Sequence, residues 1–315
     1  MIQLGGHSVL HPAGPQAARI HDFWQFLWIV AAVVFAGVVV TLLLAAFRRR
    51  RPDPDARAVH RSAVRAVAAA TAASVVVLFV FLVVNFRAGQ ALTRPPHGAV
   101  HVKVRGYQWW WEIVYPAPTP SDQVTTANEL HVPAGRPVVV ELTSADVIHS
   151  FWPPSLVGKR DLIPGDMATI WFQADTPGVY RGQCAEFCGH QHAKMGFLVI
   201  AEEPAAFDAW LRRQRDSSAT PADSVAARGQ EVFLATQCAL CHTLRPTPAG
   251  SRVGPDLTHL AGRRTIAAGT LPNDRGNLAR WIIDPQGVKP GARMPATPLN
   301  QPDLDALVTY LGTLE

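Results

Sequence analysis

Gly182-Gln183-Cys184-Ala185-Glu186-Phe187-Cys188-Gly189-His190-Gln191-His192-Ala193-Lys194-Met195 places two thiols, an imidazole at ligand spacing and a thioether in one short loop. That is a soft-metal site. Thiolate and thioether sulfur select copper(I), zinc or iron–sulfur clusters, and imidazole suits copper and zinc. Cysteines four apart, a histidine four further on and a methionine three beyond that converge on one point only if the loop wraps around it. The methionine argues for copper, because structural zinc takes Cys and His whereas a weak thioether ligand tunes a copper redox centre. A disulfide between Cys184 and Cys188 is the competing reading, open to a chain that faces an oxidising compartment. His190 lies inside the loop but off the pattern, and reads as a surface or supporting residue.

A second imidazole is needed. His149, in Asp146-Val147-Ile148-His149-Ser150-Phe151-Trp152, follows the apolar run Val138-Val139-Val140-Glu141-Leu142 and reads as a ligand at a strand end. The set His149, Cys184-x3-Cys188-x3-His192-x2-Met195 resembles the binuclear copper A centre of subunit II of haem–copper cytochrome c oxidases. The resemblance implies that both thiolates bridge two coppers and that each copper takes one histidine. The weak ligands would be the Met195 sulfur and the backbone carbonyl of Glu186. It also implies that the Glu186 carboxylate helps bind magnesium at the contact with subunit I.

The chain has 315 residues, room for two or three domains. Its net charge of +5 is not spread evenly. Up to Arg94 there are ten basic and three acidic residues, from Ala99 to Arg215 ten and twelve, and from Asp216 onward nine and nine. The excess is therefore a membrane-orientation signal, and no basic patch remains in the rest of the chain to recruit nucleic acid. All four cysteines sit in ligand-type motifs, so no pair is left for a stabilising disulfide.

Residues before His21 read as a short external tail without a secretory leader. The phrase Leu10 to Ala18 looks like the lead-in of bacterial oxidase second subunits. Apolar runs at about 23–47 and 66–86 each reach the roughly 20 residues needed to cross a bilayer. Between them Arg48, Arg49, Arg50, Arg51, Arg57, Arg61 and Arg65 face only Asp53 and Asp55, which puts this loop in the cytoplasm and both termini outside. Trp24 and Trp28 suit an interfacial anchor. One departure from the family stands out. Its second helix commonly opens with a glutamate at the mouth of a proton path, and here no acid lies between Asp55 and Glu112.

Residues 95–215 change to β-branched and alternating runs: Val100 to Val104, Trp111 to Tyr115, Glu129 to Val132, Val138 to Leu142, Thr169 to Phe172 and Phe197 to Ile200. Turn signals separate them, so the expectation is an antiparallel sandwich, which the resemblance makes cupredoxin-like. In Gly106-Tyr107-Gln108-Trp109-Trp110-Trp111 the three tryptophans cannot share one core, because strand residues alternate faces. By resemblance Trp109 is the electron-entry residue over the copper.

Pro204 to Leu211 reads as a short closing helix, and residues 216–223 as a flexible linker of small and polar residues. Residues 224–315 form a further domain. Cys238-Ala239-Leu240-Cys241-His242 is the attachment motif for a c-type haem, with His242 the adjacent iron ligand. A zinc or redox Cys-x2-Cys pair is the alternative. Val253-Gly254-Pro255-Asp256-Leu257 follows, with a proline that in the family lies against the histidine. Met294, in Gly291-Ala292-Arg293-Met294-Pro295, is the one methionine after the haem motif and the expected sixth ligand, with His259 its rival. Leu304, Leu307, Val308 and Leu311 have helical spacing.

The whole resembles a second subunit with a fused class I cytochrome c domain, as in caa-type oxidases: a transmembrane helix pair, a cupredoxin-like sandwich and an all-α haem domain. The resemblance implies a two-pass protein of the bacterial inner membrane with both redox domains on the periplasmic side. Its electrons would pass from haem c to copper A and on to subunit I, where oxygen is reduced to water with proton pumping. Expected partners are subunit I, subunit III, membrane lipid and an electron donor, either a soluble or membrane cytochrome c or a quinol:cytochrome c reductase. A free-standing membrane-anchored carrier or a copper-delivery protein is the rival. Delivery has no use for Met195, the haem or two spans.

Overall fold

The computed structural model describes residues 8–47 and 56–315, so the cluster Arg48 to Arg51 and the acids Asp53 and Asp55 lie outside the described residues. Two compact units are present: Ala18–Arg94, and Met1–Ala17 together with Pro95–Glu315.

The first unit is a pair of helices, α1 (Pro15–Phe47) and α2 (Ala56–Thr93). Phe26 and Phe81 meet edge to face at 5.4 Å between them. Most of their apolar side chains, Phe35, Leu44, Leu78 and Leu82 among them, point outward and are exposed. A surface of this length and apolarity suits hydrocarbon, and the chain is membrane-anchored. Both helices run past their apolar stretches, since intrahelical hydrogen bonding continues where the sequence turns polar.

The second unit begins with a sandwich of two five-stranded sheets. Its strands are β1 (Val100–Tyr107), β2 (Trp110–Tyr115), β3 (Val124–Ala127), β4 (Glu129–Pro133), β5 (Val138–Ser144), β6 (His149–Trp152), β7 (Arg160–Leu162), β8 (Ala168–Phe172), β9 (Gly178–Cys184) and β10 (Gly196–Glu202). One sheet is ordered β3-β2-β1-β5-β8, the other β4-β10-β9-β6-β7. The sandwich is cupredoxin-like as expected, yet not wholly antiparallel: β1 pairs with β5, and β4 with β10, in parallel. Those pairs are joined through long crossovers, which free parallel neighbours from the short turn an antiparallel pair uses. Val102, Val104, Ile113, Leu142, Phe151, Phe172 and Phe197 fill the space between the sheets. Of the three tryptophans Trp111 is buried in this core, while Trp109 and Trp110 are only half-buried.

The tail packs against the sandwich. Ala13 N–H donates to Ser155 O at 2.7 Å, Asp175 N–H to Ala13 O at 2.9 Å and Ala17 N–H to Leu156 O at 3.2 Å, so the tail is stitched along the sandwich. Helix α3 (Pro204–Arg213) closes this domain by burying Phe207 and Trp210. The Trp210 ring stacks on His131 at 4.0 Å.

The helical domain comprises α4 (Ser224–Ala235), α5 (Cys238–Cys241), a hairpin of β11 (Thr265–Ile266) and β12 (Leu271–Pro272), α6 (Arg275–Ile283), α7 (Pro285–Val288) and α8 (Gln301–Leu311). Asp223, Asp274 and Asn300 cap α4, α6 and α8 through side-chain acceptors. Helices α4 and α8 cross closely at Gly229, where an added Cβ would lie 2.1 Å from Ala306 O. The preceding linker is less free than its composition suggests. Ser218 donates to Arg245 O, Arg245 donates to the carbonyls of Gln214 and Arg215, and Asp216 O faces the His259 ring.

Candidate copper and haem sites

Strand β6 carries His149 into the end of the sandwich, β9 delivers Cys184, and the connection from β9 to β10 folds back over both. The Cys184 and Cys188 sulfurs are 3.7 Å apart and unbonded. His149 Nδ1 is 3.9 Å from the Cys184 sulfur, and His192 Nδ1 and Met195 Sδ are each 3.7 Å from that of Cys188. The Glu186 carbonyl lies 3.2 Å from the Cys184 sulfur. The ligand atoms of His149, Cys184 and Cys188 lie within 4.8 Å of one another, and His192, Met195 and the Glu186 carbonyl border the two sulfurs, a donor set that fits copper. His190 does not join them.

The ionisable groups of the site are strongly coupled. Burial alone would lower the His149 imidazole, but hydrogen bonds to Cys184 and Asp146 outweigh it and leave it raised. Burial likewise opposes the Asp146 carboxylate, which is nevertheless held low by His149 and by the N–H groups of Gln108 and Val147. His149 Nε2 donates to Asp146 at 2.9 Å, so Nδ1 is the nitrogen turned to the sulfurs. The sulfurs titrate as a pair: the Cys188 hydrogen bond drives Cys184 toward thiolate, and that neighbour pushes Cys188 up.

In the helical domain Cys238, Cys241, His242 and Met294 line one cavity with Leu257, Leu260, Leu278, Trp281 and Leu307. His242 Nδ1 donates to Pro255 O at 2.7 Å, leaving Nε2 free, and burial lowers the imidazole toward its neutral form. Gly254 packs on this ring so tightly that a Cβ would sit 2.6 Å from Cε1. His259 is not among the cavity residues; its two nitrogens face Glu315 O and Asp216 O. The buried guanidinium of Arg263 also borders the cavity, with its Nε unpartnered. A haem brings an apolar ring and two carboxylates, and this cavity offers an apolar wall and a guanidinium that donates to Asp256 O while its Nε has no partner among the described residues. The residues fit the group.

The two sites adjoin. Tyr107, Gln108, Trp109 and Trp110 of the sandwich line the same cavity as the haem-motif residues. The Trp109 indole N–H donates to Cys188 O at 2.9 Å, and Gln108 Nε2 donates to it at 2.8 Å. Several residues here escape a reading of the sequence. Arg252 pairs with Glu112 at 3.0 Å, Arg293 donates to Gln108 at 2.9 Å and lies 3.7 Å from Asp146, and Lys194 donates to Val288 O at 2.6 Å. Lys194 and Arg293 sit in the motif stretches but at no ligand position, and Arg252 sits in none. Asp146 alone carried a signal, three residues before a candidate ligand.

The fold and sites define a membrane-anchored electron-transfer protein with a copper domain and a cytochrome c domain in one chain. Residues 117–202 match the family model for the periplasmic domain of cytochrome c oxidase subunit II, and residues 226–315 match cytochrome c. Cytochrome c oxidase subunit 2 of Alkalihalophilus pseudofirmus is 36% identical over 98% of this chain and 91% of its own length. That of Bacillus sp. PS3 is 36% identical over 69% of this chain and 62% of its own length. The solved periplasmic domain of oxidase subunit II from Bradyrhizobium japonicum is 31% identical, covering 38% of this chain and 96% of its own, with TM-score 0.36. The chain belongs to the cytochrome c oxidase subunit II family, in the form with a fused cytochrome c domain. It is thus a subunit of a haem–copper oxidase complex, with subunit I as partner; its domains imply copper and haem.

Proposed function

We propose that this chain is the electron-entry subunit of a terminal oxidase, taking electrons at its haem domain and delivering them through a binuclear copper A centre to subunit I. The observation that carries this reading is the shared wall: Trp109 borders the haem cavity and hydrogen-bonds the backbone of Cys188. Haem and copper, when bound, supply one-electron storage. The chain supplies the rest. Cys238 and Cys241 would hold the macrocycle, His242 Nε2 and the Met294 sulfur would bind its iron, and Arg263 would face its carboxylates. Cys184, Cys188, His149, His192, Met195 and the Glu186 carbonyl would hold the two coppers. Trp109 is the entry residue between the sites.

Both domains would lie on the periplasmic side of the bacterial inner membrane, with residues 1–94, 95–215, 216–223 and 224–315 as anchor, copper domain, linker and haem domain. The Glu186 side chain would share magnesium with subunit I, where oxygen is reduced to water with proton pumping; subunit III and a cytochrome c or quinol:cytochrome c reductase donor would complete the assembly. Metal analysis and electron paramagnetic resonance of the purified full chain test the copper count. A mixed-valence signal from two coppers per chain supports the reading, whereas an ordinary mononuclear signal removes it. Reporter fusions at Asp53 and the C-terminus should report opposite sides of the membrane.

A further inference from the structure

Glu129, on β4 of the copper domain, is a buried carboxylate, 1% exposed. Among the described residues, every hydrogen bond given to it comes from the haem domain. Arg264 N–H lies 2.9 and 3.0 Å from its two oxygens, Thr265 N–H 2.8 Å and Thr265 Oγ 3.0 Å from Oε1. Burying a carboxylate without such donors is costly, so Glu129 has its partners only while the domains are together.

The hairpin that supplies them then turns through Ala267, Ala268 and Gly269, at φ 53°, 58° and 73°. Two successive alanines in the left-handed region are an uphill conformation that persists only where surroundings fix it. Here the sandwich helps to fix it. Ala268 O accepts from Gly196 N–H at 3.0 Å, one residue past the candidate ligand Met195. Ala267 O accepts from Lys289 Nζ at 3.2 Å, and the same ammonium donates to Trp109 O at 2.8 Å. Lys289 is itself buried. The hairpin therefore meets the copper domain directly at a strand and at the end of the ligand loop, and through Lys289 at the backbone of the entry tryptophan.

We propose that Glu129 and Lys289 are positioning residues of an interdomain latch, in which the Arg264–Gly269 hairpin locks the haem cavity against the copper loop in one orientation. The haem domain is then a docked part of the subunit and not a tethered visitor that finds the copper site by repeated encounter. The functional meaning of the latch rests on the proposed haem-to-copper route, while its existence does not.

The test uses the full chain in detergent with haem and copper bound, as Glu129→Ala, Glu129→Gln and Lys289→Met. Amide hydrogen exchange at Arg264, Thr265 and Gly196 reads the latch directly and is expected to speed up by about tenfold or more in Glu129→Ala. Exchange in the cores of both domains should stay unchanged, as should both redox potentials. Copper reduction by photoreduced haem should slow by about tenfold or more, since misorientation alone carries such costs. Glu129→Gln, which keeps an acceptor oxygen and guards against misfolding of the alanine variant, should recover part of both effects. Unchanged exchange at these three amides in both Glu129→Ala and Lys289→Met overturns the latch. Where the parent protein itself shows no haem-to-copper transfer, the proposed route fails, and the exchange readout still decides the latch.

Discussion

The indole N–H of Trp109 donates to the carbonyl of Cys188 at 2.9 Å, joining a residue that borders the haem cavity to the backbone of a candidate copper ligand. Replacing Trp109 with Ala should leave copper and haem spectra intact and slow transfer between them by about a hundredfold. Flash photolysis of the loaded protein measures this. A normal rate would move suspicion to Trp110 and Tyr107, whose rings stack at 4.6 Å on the same wall.

Asp146→Asn should weaken copper binding by about 10- to 100-fold, because the carboxylate fixes the His149 tautomer and ring direction. Gly106→Ala should act on the same ring by contact, since a Cβ there would lie 2.8 Å from His149 Cδ2. Competition with a copper chelator reads both. Equal affinity in Asp146→Asn and the parent would refute the orienting role.

Met294→Ala should leave haem attached through Cys238 and Cys241 while removing the sulfur–iron charge-transfer band and lowering the potential. Optical spectroscopy with redox titration checks it. Persistence of the band would mean that another side chain provides the sulfur contact.

Burial pushes the Lys289 ammonium down to about 7, below the ordinary lysine value of about 10.4. The folded state then binds fewer protons than the unfolded one between those values. Stability from this group rises with pH across that window and is lost as pH falls through the folded value. The melting temperature of the full chain, relative to Lys289→Met, should therefore increase from about pH 7 to about pH 9. A difference that stays flat would show that the lysine titrates normally.

The ligand loop and the haem motif were legible because their chemistry is local: Cys184 to Met195 is one loop, and Cys238 to His242 one turn. Much of the cores was legible through alternation and helical spacing, but the short β3 and β7, helix α6, and β9, whose Gly178, Gly182 and Arg181 blur its pattern, were not. Contacts between domains were not. Glu129, Lys289, Arg293 and Arg252 are isolated charges in sequence, and each has a partner more than a hundred residues away. Arg263 stands beside Arg264, and nothing in that pair announces that one guanidinium is buried at the haem cavity while the other residue gives its backbone N–H to Glu129. The linker misled for the same reason: Ser218 is held by Arg245, a residue beyond the next helix.

The stitch between Ala13 and the strands near Ser155 and Asp175 gives the chain an order of assembly. Residue 13 emerges first from the ribosome, while its partners are made only after both apolar helices have been synthesised. Closing that stitch therefore encircles the helix pair in a loop of well over a hundred residues, a contact of high sequence separation whose formation is slow. Until then the backbone groups of Ser155, Leu156 and Asp175 lack the partners that Ala13 and Ala17 supply.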